Sequence, residues 1–97
     1  MKTRLWQLFD AIAREHWRLS KEGMLADNDG AHGHHMAFAQ SYDEAAAVLK
    51  VVRRDSSADD SWIRRAVAEN IPAGGLLIEL GLPPELSRTA AMDGDTA

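Results

Sequence analysis

Residues 4–22 read RLWQLFDAIAREHWRLSKE, and the spacing of their apolar side chains decides the fold class. Leu5, Leu8, Phe9, Ile12, His16 and Leu19 recur at steps of three and four, the period of one helical face. Trp6, Ala13 and Trp17 widen that stripe, while Gln7, Asp10, Arg14, Arg18 and Lys21 fill the other directions. Thr3 is placed to cap this helix, and Gly23, just past Lys21 and Glu22, to stop it.

Moving outward, residues 26–35, ADNDGAHGHH, are polar and rich in Gly, Asp and Asn, without a period, and read as the longest loop. MAFAQ at 36–40 fits a short strand, an extended lead-in or the start of the next helix. Ser41-Tyr42-Asp43-Glu44 has the form of a capping box, in which Ser41 and Glu44 satisfy each other's backbone amides. It predicts a helix over 42–54 with Tyr42, Ala45, Ala46, Leu49 and Val52 on its apolar stripe. Asp43 and Glu44 suit its positive end, and Arg53 and Arg54 its negative end.

Asp55-Ser56-Ser57 breaks that pattern, and Ser57 is placed to cap a third helix with Asp59 and Asp60 in its first turn. Ile63, Ala66 and Val67 give that helix an apolar face, with Trp62 alongside. Residues 73–82, AGGLLIELGL, fit a fourth short helix capped by Asn70 and ended by Gly81, and fit a buried strand as well. Pro83-Pro84 forces a turn before one last helical turn over 85–91. The expected architecture is mostly α. It is one domain over residues 1–91, a bundle of three to four helices with one short strand or extended segment. Residues 92–97, MDGDTA, lack apolar anchors and read as a disordered tail.

Composition narrows this further. A chain of 97 residues holds one small domain. Its 45% hydrophobic share includes 16 Ala, and Leu, Ile, Val and Phe together number only 20. The core is therefore thin. Three Trp and the Leu-rich segment 76–82 supply most of the bulk, either as core or as contact surface, since Trp is enriched where proteins touch. A homodimer built on 76–82 fits this pattern too.

The chain has no Cys, which excludes disulfides, thiolate metal sites and a Cys nucleophile, and agrees with the reducing cytoplasm. Arg4, Asp10, Arg14 and Glu15 interrupt every N-terminal apolar run, so neither a signal peptide nor a membrane span is expected. The net charge is −4 and evenly spread, with 6 basic and 7 acidic groups in residues 1–50 and 5 and 8 in the rest. Nothing in it suggests the basic face that nucleic acids require.

The most conspicuous chemistry is His32, His34 and His35 beside Asp27 and Asp29, because imidazole is a common ligand for Zn, Ni and Cu. His16 becomes a fourth ligand if the loop folds back, although its place on the apolar stripe reads as a core histidine. The calcium-loop start Asp27-Asn28-Asp29-Gly30 fails at Ala31, His32 and Phe38. Arg53, Arg54, Arg64 and Arg65, with Trp62 nearby, offer a nucleic-acid reading. Asp59 and Asp60 at the third helix start oppose it, and helix-end compensation and ion pairing explain the arginines. No G-x-S-x-G and no phosphate-cradling glycine loop occur, so no enzyme and no cofactor are expected.

These observations suggest a small cytoplasmic protein-binding module, an inhibitor or regulator that occupies a surface of a larger complex. By profile alone, it has the type of anti-defence or anti-CRISPR accessory proteins of phages and mobile elements, whose targets are nucleic-acid-processing complexes. Its contact surface is expected to combine Asp27, Asp29, Asp55, Asp59 and Asp60 with Trp62 as anchor. A metal-binding protein using His32, His34 and His35, and a small nucleic-acid-binding regulator, are the alternatives.

Overall fold

The structure is a computed structural model that describes residues 1–53 and 55–88. The described residues are mostly helical, with four α-helices and one small antiparallel sheet. Strand β1 (Lys2–Arg4) leads into α1 (Leu5–Leu25), which a short connection joins to α2 (Asp29–Val52). Strand β2 (Ser57–Asp59), α3 (Ser61–Ala68), α4 (Ala73–Glu79) and a 3₁₀ turn (Pro84–Arg88) follow. The last helical turn expected over 85–91 is thus a 3₁₀ turn as far as Arg88, and the tail expected over 92–97 lies outside the described residues.

α1 carries the stripe its sequence predicts: Leu5, Leu8, Phe9, Ile12, Ala13 and His16 are all buried. Its ends differ from expectation. Thr3 does not cap it but lies in β1, paired with Ala58 of β2. Gly23 does not stop it either. It is a buried residue of the helix, and a Cβ there would stand 2.8 Å from the backbone nitrogen of His32. The glycine is needed for close approach of α2, and the helix ends two residues later.

The actual stop is Asp27, in the left-handed region at φ 57°. Its amide donates to the Met24 carbonyl (3.2 Å), and the Asn28 amide donates to the Gly23 carbonyl (2.8 Å), the paired bonds of a Schellman termination. The same device ends α3 at Asn70 (φ 53°) and α4 at Gly81 (φ 77°). Asn70 therefore closes α3 and is no cap for α4, whose N-terminal flank is Pro72.

The largest departure is the loop expected over 26–35. Only residues 26–28 connect α1 to α2. Asn28 caps α2, its side chain accepting from the Ala31 amide at 3.0 Å, and Asp29 lies in the first turn. Ser41-Tyr42-Asp43-Glu44 is then mid-helix, because α2 is already three turns old when it reaches them. Ser57 likewise lies in β2 and caps nothing, while Asp59 accepts from the Ser61 amide at 2.9 Å at the start of α3.

α1 and α2 form an antiparallel hairpin with the most extensive contact in the fold. Their shared core joins Leu8, Phe9 and Ile12 to Tyr42, Ala45 and Leu49, and α3 and α4 close it with Ala66, Ala73, Leu76 and Leu77. Leu76 and Leu77 are fully buried within the single chain, so this part of 76–82 contributes core from helix α4. Ile78 is left 61% exposed, and Leu80 and Leu82, past the helix end, are partly buried against the core. The Phe9 and Tyr42 rings meet at 5.3 Å. Trp6 and Trp62 are partly buried against the core, whereas Trp17 is exposed and donates its indole N–H to Asp43 at 2.8 Å. Among the described residues no helix is long and apolar enough to cross a membrane.

Candidate functional site

Because 29–35 is helical, its histidines are fixed by the hairpin, and the three on α2 each have a different partner. His16 is fully buried on α1, and its Nδ1 lies 3.0 Å from the Nδ1 of His35. The His16 ring also stacks on Phe38 at 5.0 Å. His32 meets the Ser20 hydroxyl at 2.9 Å, and His34 meets the Asn70 side chain at 3.2 Å. These contacts join α2 to α1 and to the turn between α3 and α4.

Burial, then the adjacent His35 and His34, push the His16 pKa down to about 4. Burial, then His34, lowers that of His35. The pair is therefore neutral at pH 7, a state suited to metal binding as well as to packing. His32, His34 and His35, the expected ligands, nevertheless point to Ser20, Asn70 and His16 respectively. Among the described residues no group of three or more His, Cys, Asp or Glu side chains comes together to hold a metal ion.

The acidic residues expected to form one contact surface are divided between the two ends of α1. Asp27 and Asp29 flank the hairpin connection, while Asp59, opposite Lys2, and Asp60 lie beside the chain start. A helix of α1's length separates these ends by about 30 Å. Asp59 and Asp60 lie 3.7 and 3.8 Å from the Met1 amino group. Hydrogen bonds from Ser61, and then the charged N-terminus, hold the Asp59 carboxyl below its usual range. Asp55 is exposed in the turn before β2. Trp62 is half-buried with the Arg65 guanidinium 4.6 Å from its ring, and Arg65 also pairs with Glu69 at 3.0 Å. Arg53 is exposed at the end of α2, and Arg54 lies outside the described residues.

Sequence reasoning missed a concavity between α1 and α3. An open groove of about 730 Å³ runs between α1 and α3, lined by Ala11, Glu15, Asp60, Ser61, Ile63, Arg64, Val67 and Ala68. Its lining includes two small residues, Ala11 on α1 and Ala68 on α3. Two of its charges are already matched, Glu15 by Arg18 and Asp60 by the N-terminus. The Arg18 bond keeps the Glu15 carboxyl below its ordinary range. Arg64 is exposed on the rim and has no hydrogen-bond or ion-pair partner among the described residues. Two alanines and one unpaired arginine are the signals of this groove, and neither is distinctive in a sequence with 16 Ala and four flagged arginines. Comparison with protein-family models, with curated proteins and with solved structures yields no match for this chain.

Proposed function

We propose that this chain is a small protein-binding module, an inhibitor or regulator that acts by occupying a surface of a larger complex rather than by catalysis. The α1–α3 groove is its contact surface. The observation that carries this reading is the uncommitted Arg64 guanidinium beside a floor of Ala11, Ile63, Val67 and Ala68. An apolar segment of a partner protein, bearing a carboxylate that reaches Arg64, fits that chemistry. Burying the apolar floor would supply affinity, and the charge pair would fix orientation. The anti-defence type of accessory inhibitor remains the favoured class, supported by small size and profile alone.

Site-specific photo-crosslinking tests the reading. A reactive side chain at position 68 should capture one protein stoichiometrically, and one at position 43, on the α1–α2 flank, should not. Arg64→Glu should weaken the captured complex about tenfold or more, the order of a charge pair at an interface. Equal capture from both positions, or binding indifferent to Arg64→Glu, would sink the groove as the contact surface.

A further inference from the structure

All four imidazoles of the chain stand at contacts that hold the first half of α2 in place. Its first buried residue is Ala39, so residues 29–38 are anchored by polar and partly buried side chains. His35 reaches His16, His32 reaches Ser20, and His34 reaches Asn70. We propose that this histidine seam is an acid-sensitive latch: protonation of the His16–His35 pair releases residues 29–40 from α1, while the core from Tyr42 onward keeps its packing.

Counting protons shows why. Two Nδ1 atoms 3.0 Å apart have room for one hydrogen between them. The neutral arrangement that leaves no buried N–H unpaired has His16 donating from Nδ1 and its buried Nε2, which has no hydrogen-bond partner, as a bare acceptor. One added proton leaves two arrangements. Either both Nε2 atoms carry hydrogen, which buries an unpaired N–H on His16, or both Nδ1 atoms do, and two N–H groups face each other. Each costs more than the neutral form, because a buried donor without an acceptor loses its full hydration.

The surroundings compensate only in part. On α1 the neighbouring Glu15 favours a charged His16, but it is engaged by Arg18, and burial, His35 and His34 outweigh it. On α2 the titratable neighbours are His34, whose ring lies 5.0 Å from that of His35, and Tyr42, whose phenol is neutral. From the turn between α3 and α4 comes only the neutral Asn70 amide. None of the ion pairs among the described residues includes an imidazole. A second charge on His34 would therefore add repulsion.

Residue-resolved amide protection factors at about pH 7 and about pH 5 test this on the whole chain. Protection at 31–40 should fall roughly tenfold or more through an opening with little urea dependence, the mark of a local event. Amides at 5–12 and 42–49 should stay the more protected and exchange only with the urea dependence of global unfolding. In His16→Phe/His35→Leu, which puts apolar groups in both places, the pH difference should vanish. If that variant does not fold, the imidazole NMR titration of the unaltered protein decides. Midpoints of His16 and His35 below the ordinary 6.5, moving with the loss of protection, support the latch. Midpoints at the ordinary value, or exchange at 31–40 that carries the full urea dependence of global unfolding, overturn it.

Discussion

The Tyr42 hydroxyl donates to the Ile71 carbonyl across 2.6 Å, so one side chain of α2 holds the turn that carries the chain from α3 into α4. Tyr42 is fully buried, and burial pushes its phenol pKa up, which keeps the hydroxyl a donor at every accessible pH. Its ring also meets Phe9 at 5.3 Å, so packing and polar satisfaction converge on one residue. Tyr42→Phe keeps the ring and strands the Ile71 carbonyl. The expected loss is about 1–2 kcal/mol, the usual cost of a buried acceptor left unpaired. Urea unfolding should show it as a lower midpoint with an unchanged slope.

Two glycines in the hairpin should respond to the same substitution with opposite signs. A Cβ on Gly23 would stand 2.8 Å from the His32 backbone nitrogen, whereas one on Gly33 would meet nothing within 4 Å. Gly23→Ala must push α1 and α2 apart and should cost about 1–3 kcal/mol, as overpacking does. Gly33→Ala removes backbone freedom from the unfolded chain and should stabilise the protein by about 0.5–1 kcal/mol. Thermal melts of both variants check the pair, and equal signs would contradict the close helix approach at Gly23.

The contrast between those glycines explains what the sequence made legible. α1 was readable because Leu5, Leu8, Phe9, Ile12 and His16 are large, regularly spaced and buried on one face. The first half of α2 was not, because Gly30, Gly33 and three histidines look like turn and ligand chemistry. Continuing the Leu49, Ala45, Tyr42 stripe backward gives Phe38 and His35 at steps of four and three, so imidazole occupies a packing position there. The β1–β2 pairing left no local signal, since three-residue strands are selected by where the helices deliver their ends. The α1–α3 groove was hidden for a related reason: its lining joins residues far apart in the chain, from Ala11 and Glu15 on α1 to Arg64 and Ala68 on α3, and so leaves no local pattern.

Helix termination offers a further test. Asp27 is exposed and holds φ 57° to close α1. A side chain in that region is strained, less so for Asp than for most residues, and Gly has no such strain. Asp27→Gly should therefore stabilise the hairpin by roughly 0.5–1 kcal/mol, while Asp27→Val should cost about 1 kcal/mol or more. The order Gly above Asp above Val in denaturant midpoint is the expected reading. An order that follows helix propensity instead would mean that residue 27 is not in a left-handed termination.

Stability should fall with acid in two separable stages. His16 is held down to about 4 from 6.5 by burial and its His neighbours, and His35 is lowered too. Below the unfolded value of 6.5, the unfolded chain binds more protons than the folded one, so stability is complete above that pH and declines toward about 4. One such proton gives a slope of up to about 1.4 kcal/mol per pH unit. Asp59 and Glu15 act lower. Their carboxyl pKa values are depressed by hydrogen bonds from Ser61 and Arg18, so their stabilisation is present above the ordinary values of 3.8 and 4.5 and is lost as pH falls through the depressed ones. Urea midpoints measured from neutral pH downward should decline first with the histidines and then again with the carboxylates. In His16→Phe the first decline should shrink and the second persist, because Phe packs beside Phe38 without a titrating nitrogen. A first decline unaffected by that substitution would place the acid sensitivity elsewhere in the chain.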